Sequence, residues 1–163
     1  MEEKISTETA LAGLQAKKEL RRFGSLWLSL SWRKDALVRV ELPATMPESL
    51  LPEDYFAALT FLAKAPLHVP MERSGHWLAG FRSALRSVPA GNTITYGTLA
   101  AQLGCPRGAR AVARCCATNP LLLVIPCHRV IPARGGVGGY SAGPEWKAQL
   151  LRIEAATAPP PQS

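Results

Sequence analysis

A chain of 163 residues, 47% hydrophobic and 19% charged, has the composition of a packed globule and excludes a disordered tether. No apolar run approaches about 18 residues, so no membrane-spanning helix is expected, and the acidic opening MEEKISTETALAG lacks the apolar core of a secretory signal. The formal net charge of +7 is spread along the chain rather than gathered in a tail, and it invites a polyanionic partner, nucleic acid first.

Residues 1–22 read as partly helical and loosely attached. Residues 24–42, GSLWLSLSWRKDALVRVEL, read as a β-hairpin: Leu26, Leu28 and Leu30 alternate with serines, Val38, Val40 and Leu42 repeat the period of two, and RKD supplies the turn. Pro43 and Pro47 end the pattern. Residues 52–63 read as a helix with Pro52 in its first turn and Phe56, Leu59 and Leu62 at helical spacing. Residues 66–70, PLHVP, are too short and proline-flanked for more than an extended segment.

A second region begins near residue 72. Residues 74–88 form an amphipathic helix with Trp77, Phe81, Leu85 and Val88 on one stripe, and PAGNT at 89–93 is turn chemistry. Residues 95–104 read as a short helix capped by Thr95 and stopped at Gly104. CPRG connects it to a helix over 109–119, ended by Asn119-Pro120. LLLVIP (121–126) reads as a buried strand and 133–143 as a glycine-rich loop. A closing helix runs over 144–154 with Trp146, Leu150 and Ile153 inward, and the tail 155–163 is expected to be disordered. The fold class is α/β in the α+β sense. A small N-terminal β-hairpin or sheet domain with a helix (1–73) precedes a mostly helical C-terminal domain containing a helix-turn-helix (74–154).

Extended back to Arg107, the second helix of the helix-turn-helix carries Arg107, Arg110 and Arg114 at i, i+3 and i+7 on one face. Ala111 and Ala117 flank them. Such a face is slim and positively charged, suited to phosphates and to a minor groove about 6 Å wide. The competing reading is a solvated basic face on an ordinary helix.

Four cysteines, Cys105, Cys115, Cys116 and Cys127, match no common zinc spacing, and a chain this long builds a core without disulfides. Free thiols in a reducing compartment are expected. Three of them read as inert packing. Cys127 differs: it follows Pro126 at the end of an apolar run, beside His128, which titrates near neutral pH, and Arg129, whose charge favours thiolate. Neighbouring residues of a straight strand point to opposite faces, so His128 serves Cys127 only where the chain bends or a water relays the proton. A carboxylate to orient the imidazole is also needed, and Glu154 is a candidate. Buried inert thiol and activated nucleophile both stay open on these residues alone.

NPLLLVIPCHRVI, with TYGTLA and GARAVA upstream and GGYSAG downstream, resembles the O6-alkylguanine-DNA alkyltransferase family over about residues 77–154. The hairpin FGSLWLSLSWRKDALVRVELP is similar to that family's N-terminal hairpin, and the zinc ligands of some members have no counterpart, so no metal is expected. The resemblance implies DNA repair by stoichiometric transfer of an alkyl group from O6-alkylguanine, with O4-alkylthymine as a further substrate, to Cys127, with base flipping and no cofactor. It implies that His128 takes the Cys127 proton through a water, that Glu154 orients His128, that Asn119 is the hinge behind the site and that Tyr96 donates to the flipped ring. Arg110 becomes the finger that fills the vacated stack, with Ala111, Arg107, Arg114 and Gly97 on the DNA. Val130 offers its carbonyl to the exocyclic amine, and Tyr140, Ser141 and Gly138 belong to the loop over the base. The expected partner is double-stranded DNA, bound by a monomer in the cytoplasm, or the nucleus of a eukaryote. The alternative within the resemblance is a lesion-binding relative that flips the base without transferring the group. A cysteine hydrolase and a plain helix-turn-helix regulator are the other classes weighed.

Overall fold

A computed structural model describes residues 4–11, 14–67 and 76–157. The chain divides into two units, Met1–Met71 with Pro120–Val124, and Glu72–Asn119 with Ile125–Ser163.

The first unit is a four-stranded antiparallel meander, β1 (Lys4–Leu11), β2 (Leu14–Phe23), β3 (Leu26–Arg33) and β4 (Ala36–Glu41), in the order β1-β2-β3-β4. The partly helical reading of residues 1–22 is therefore corrected: the described part is strand, paired from Lys4↔Arg21 to Leu11↔Leu14. Alternating charge in KKELRR hides its period because Lys17, Glu19 and Arg21 share the face that also carries Phe23, where a binary pattern expects apolar side chains. The β3–β4 hairpin falls within 24–42 as read, but the Val38, Val40, Leu42 alternation is corrected. Ser31 pairs with Arg39 and Trp32 with Leu37, so Val38 is an extra residue; Leu37 and Val40 are the buried pair, while Val38 and Leu42 are half-buried. Lys34 and Asp35 both take positive φ, 46° and 61°, as a two-residue turn matched to strand twist requires. Leu26, Leu28 and Leu30 are fully buried, as are Tyr55, Ala58 and Leu62 in the same unit's core. Those three belong to α1 (Pro52–Lys64), whose first turn carries Glu53 and Asp54. The Asp54 carboxylate accepts from the Ser25 amide at 2.8 Å and the Ser25 hydroxyl at 2.6 Å, fastening the helix start to the β2–β3 turn. Of residues 66–70, Pro66 and Leu67 are described, with Leu67 in a parallel bridge to Leu37; the remainder lies outside the described residues.

LLLVIP is not a strand. Leu121 makes a single parallel bridge to Val40, the Val40 amide donates to the Pro120 carbonyl at 2.8 Å, and the chain then turns. Leu123 has φ of 68°, which no strand tolerates, and the Val124 amide donates to the Leu122 carbonyl. The run is apolar because it is buried, not because it is extended.

The second unit holds α2 (His76–Arg86), β5 (Ile94–Thr95), α3 (Tyr96–Gln102), α4 (Ala109–Ala117), β6 (Val130–Ile131) and α5 (Pro144–Thr157). α2 ends at Arg86, before the end of the 74–88 reading, whose residues 74–75 lie outside the described residues; Phe81 and Leu85 are buried, while Trp77 stacks on Phe81 at 6.0 Å and stays half-buried. Thr95 caps α3 through its hydroxyl, which accepts the Thr98 amide at 3.1 Å. Gly104, at φ 72°, lets the chain reverse into the turn before α4. Leu99, Ala100, Val112 and Cys116 bury the facing sides of the helix pair. Two readings change here. α4 starts at Ala109 and ends at Ala117, so Arg107 sits in the turn rather than on the helix, and Thr118-Asn119 lies beyond its end. α5 continues to Thr157, so 155–157 are helical; 158–163 lie outside the described residues. The short parallel pair β5–β6, Ile94↔Val130 and Thr95↔Ile131, sets the start of α3 beside the segment that follows Cys127.

Candidate active site

Cys127 opens a 3-10 turn, Cys127–Arg129, and this turn removes the geometric difficulty of adjacent Cys and His on a strand. Pro126 at ψ 62° and the Cys127 amide donating to the Ile125 carbonyl at 2.7 Å bend the chain just before the sulfur. Cys127 is 1% exposed. Asn119, buried two residues past the end of α4, donates its amide to the Ile125 carbonyl at 2.9 Å and to Cys127 Sγ at 3.1 Å. One side chain thus fixes the bend and solvates the sulfur.

Behind the thiol lies a buried charge cluster. His128 Nε2 is 3.1 Å from Glu154 Oε1, both fully buried. Arg129 grips the same carboxylate with Nε to Oε2 at 2.9 Å and Nη2 to Oε1 at 2.7 Å, and donates to the Val88 carbonyl at 2.6 Å. The Gly91 amide adds a contact of 3.3 Å to Oε2. The Arg129 charge is therefore spent on Glu154, correcting the expectation that it favours the thiolate.

The cation that does favour it is Lys147, which the residue pattern did not single out. Lys147 is fully buried, and its ammonium donates to the Val130 carbonyl at 2.7 Å and the Gly139 carbonyl at 3.2 Å. It also lies 5.7 Å from the centre of the Tyr96 ring. The signal was present: Lys147, Leu150 and Glu154 sit at i, i+3 and i+7 of α5, two charges on an otherwise apolar stripe. The Val130 carbonyl, expected to face a base, already accepts this bond.

Burial sets the protonation states. It pushes the Cys127 thiol up, opposed by the Asn119 hydrogen bond and by the Lys147 charge. It holds His128 below the usual imidazole range, against the pull of Glu154, so the ring is a neutral base. Burial raises the Tyr96 phenol and lowers Lys147. The Cys116 thiol is pushed up to about 12 by burial and by Cys127.

Cys127 forms part of the wall of a pocket of about 280 Å³, near the lower end of small-ligand sites. α4 contributes Ala113, Cys116 and Ala117; Tyr96 contributes from the start of α3; Gly139, Tyr140 and Ser141 contribute from the glycine-rich loop. Gly138 takes φ of 71°, and a Cβ there would meet Pro132 at 2.9 Å, so the loop demands glycine at that point. The Tyr140 ring stands edge-on to His128 at 6.3 Å. Arg107, Arg110, Ala111 and Arg114 are exposed, as is Gly97 on α3. The structure thus pairs Asn119 with Cys127 and His128 with Glu154, and gathers Tyr96, Tyr140 and Ser141 at the pocket that Cys127 lines. The arginines stay on the outer surface of α4 and its preceding turn. Among the described residues no cluster of three or more His, Cys, Asp or Glu side chains is placed to hold a metal, and no helix is long and apolar enough to cross a membrane.

A helix-turn-helix whose second helix bears exposed arginines on one side and walls a cysteine pocket on another defines a nucleic-acid-facing thiol site. The comparisons agree. The model of the 6-O-methylguanine DNA methyltransferase DNA-binding domain matches residues 80–156. The methylated-DNA–protein-cysteine methyltransferase of Salmonella typhimurium is 35% identical over 170 residues, covering 94% of this chain and 95% of that protein. The bifunctional transcriptional activator/DNA repair enzyme Ada of Escherichia coli is 45% identical over 91 residues, and the match spans only 26% of Ada. The crystal structure of Mycobacterium tuberculosis OGT in complex with DNA aligns with a TM-score of 0.63 at 28% identity, covering 82% of this chain and 89% of that one. The M. tuberculosis O6-methylguanine methyltransferase shares the fold, with a TM-score of 0.64 over 98% of this chain. The chain belongs to the methylated-DNA–protein-cysteine methyltransferase family.

Proposed function

We propose that the protein repairs DNA by moving an alkyl group from O6-alkylguanine in a duplex onto Cys127, once per molecule. The observation that carries this reading is the Cys127 sulfur at the wall of the pocket, held at 3.1 Å by the Asn119 amide. Attack on a saturated carbon needs a soft nucleophile, and thiolate is one. The Cys127 proton passes through a water to neutral His128, whose imidazolium Glu154 stabilises. Sulfur then bonds to the alkyl carbon, the carbon–oxygen bond breaks, and its electron pair goes to the guanine, to which Tyr96 donates a proton. The product is a thioether with no easy hydrolysis, so the protein is consumed.

The carbon is inaccessible within a stacked duplex, so the nucleotide swings out at a cost of a few kcal/mol. Arg110 enters the stack and offsets part of that cost. Ala111 and Gly97 keep the surface slim, and Arg107 and Arg114 hold phosphates. Tyr140 and Ser141, on the turn that Gly138 allows, cover the base, and the second lone pair of the Val130 carbonyl receives the exocyclic amine. O4-alkylthymine is a second substrate of the same chemistry. The protein acts as a monomer in the cytoplasm and needs no cofactor.

The test is a duplex with one O6-methylguanine, titrated with protein and scored for methyl remaining on the DNA. The expected result is removal that stops at one methyl per protein and is abolished by Cys127→Ala. Repeated turnover, or removal by Cys127→Ala, overturns it. Tight binding with the methyl left on the DNA favours a lesion reader instead.

A further inference from the structure

Cys116 is a nucleophilic group that alkyl transfer leaves unused, and it shares a wall with the sulfur that does the chemistry. Of the four cysteines, Cys116 and Cys127 line the pocket, while Cys105 and Cys115 do not. Both are buried, at 8% and 1% exposure, yet face the same 280 Å³ space. Asn119 ties their two segments together: its backbone amide donates to the Cys116 carbonyl at 3.3 Å, and its side chain donates to Cys127 Sγ at 3.1 Å. On α4 the pocket-lining neighbours of Cys116 are alanines, Ala113 and Ala117.

We infer that Cys116 is the resolving thiol of a reversible oxidation site, closing a disulfide with Cys127 when a peroxide enters the pocket. The two sulfurs divide the work. Cys127 Sγ has the Asn119 amide donor at 3.1 Å to hold its thiolate against the upward push of burial, so that thiolate attacks the peroxide; a sulfur–oxygen bond forms, the oxygen–oxygen bond breaks, and hydroxide leaves. The sulfenic acid that results accepts attack by Cys116. The sulfur–sulfur bond forms, and the hydroxide departs with the Cys116 proton as water. Two thiols give up two electrons, and hydrogen peroxide becomes two waters. The disulfide occupies the acceptor sulfur but spares it the irreversible sulfinic step. That the bond silences repair rests on Cys127 being the alkyl acceptor.

The experiment uses the full chain, reduced and then exposed to hydrogen peroxide, alkylated to block remaining thiols, digested and weighed. Expected are a Cys116–Cys127 linked peptide lighter by two hydrogens, complete loss of methyl acceptance, and full return of acceptance with dithiothreitol. Cys116→Ala and Cys116→Ser, each compared with its own untreated sample, instead accumulate Cys127 sulfinic acid and do not recover. Cys127 linked to Cys105 or Cys115, or sulfinic acid forming as fast in the parent as in the two variants, overturns the inference. Untreated protein that accepts no methyl group overturns the acceptor reading alone, and the linked peptide still decides the oxidation site.

Discussion

Glu154→Gln keeps the shape of the side chain and removes one charge from the most heavily bonded carboxylate of the site. Glu154 is fully buried and takes bonds from His128, twice from Arg129, and from Gly91. The amide turns one acceptor oxygen into an NH₂ donor, which then faces a guanidinium donor at the former 2.7 or 2.9 Å contact. Arg129, 8% exposed, keeps its charge and loses the carboxylate that it grips with two bonds. Breaking one partner of a buried pair costs about 3–5 kcal/mol, a large part of the roughly 5–15 kcal/mol that holds a domain together. With a urea slope of about 2 kcal/mol per molar, the midpoint of unfolding falls by about 1.5–2.5 M. Circular dichroism in urea reads this directly. Glu154→Leu combined with Arg129→Met replaces the pair with apolar volume and recovers most of the loss. A fall under about 0.5 M for the single variant, at an unchanged slope, refutes the view that this carboxylate anchors the turn behind Cys127.

Stability also falls with acid: the unfolded chain protonates His128 near about 6.5, while burial keeps the folded ring neutral to lower pH. Stability is full above that value and declines as pH drops from it toward the folded one, and urea midpoints at successive pH values show a weaker decline in His128→Asn. Asn119→Ala removes the donor to Cys127 Sγ and one of the two donors to the Ile125 carbonyl, costing about 0.5–1.5 kcal/mol per bond by urea unfolding. Because that donor lowers the thiol pKa, the same variant moves the pH profile of methyl transfer to higher pH. Lys147→Met moves that profile the same way and exposes the 133–143 loop to protease, since two carbonyls lose their donor. Methylating Cys127, 1% exposed, overpacks its site by about 1–3 kcal/mol, or roughly 2–12 °C in Tm; an equal or higher Tm contradicts it.

The elements most legible in the sequence were those whose local chemistry is self-sufficient. Alternating Leu26, Leu28 and Leu30, the Thr95 cap and Pro52 at a helix start each act within a few residues and fell where expected. What misled was burial without regular structure, and charge within it. LLLVIP reads as strand because periodicity cannot separate a buried turn from a buried strand. Residues 1–22 read as partly helical because the neighbours of KKELRR across the sheet are invisible in one dimension. Cys127, Asn119, His128 and Glu154 were legible as a set through the family's residues. That Arg129 rather than solvent balances Glu154, and that Lys147 supplies the cation near the sulfur, depends on α5 packing against the 3-10 turn, a contact between residues about twenty positions apart.

The central claim is that one sulfur takes the alkyl group. Incubating the protein with duplex DNA carrying O6-methylguanine, then weighing its peptides, tests this most directly. The account predicts that the peptide containing Cys127 gains one methyl group, which fragmentation places on that sulfur, while those containing Cys105, Cys115 and Cys116 stay unmodified. A methyl on any other residue, or a demethylated duplex with every peptide unchanged, contradicts it.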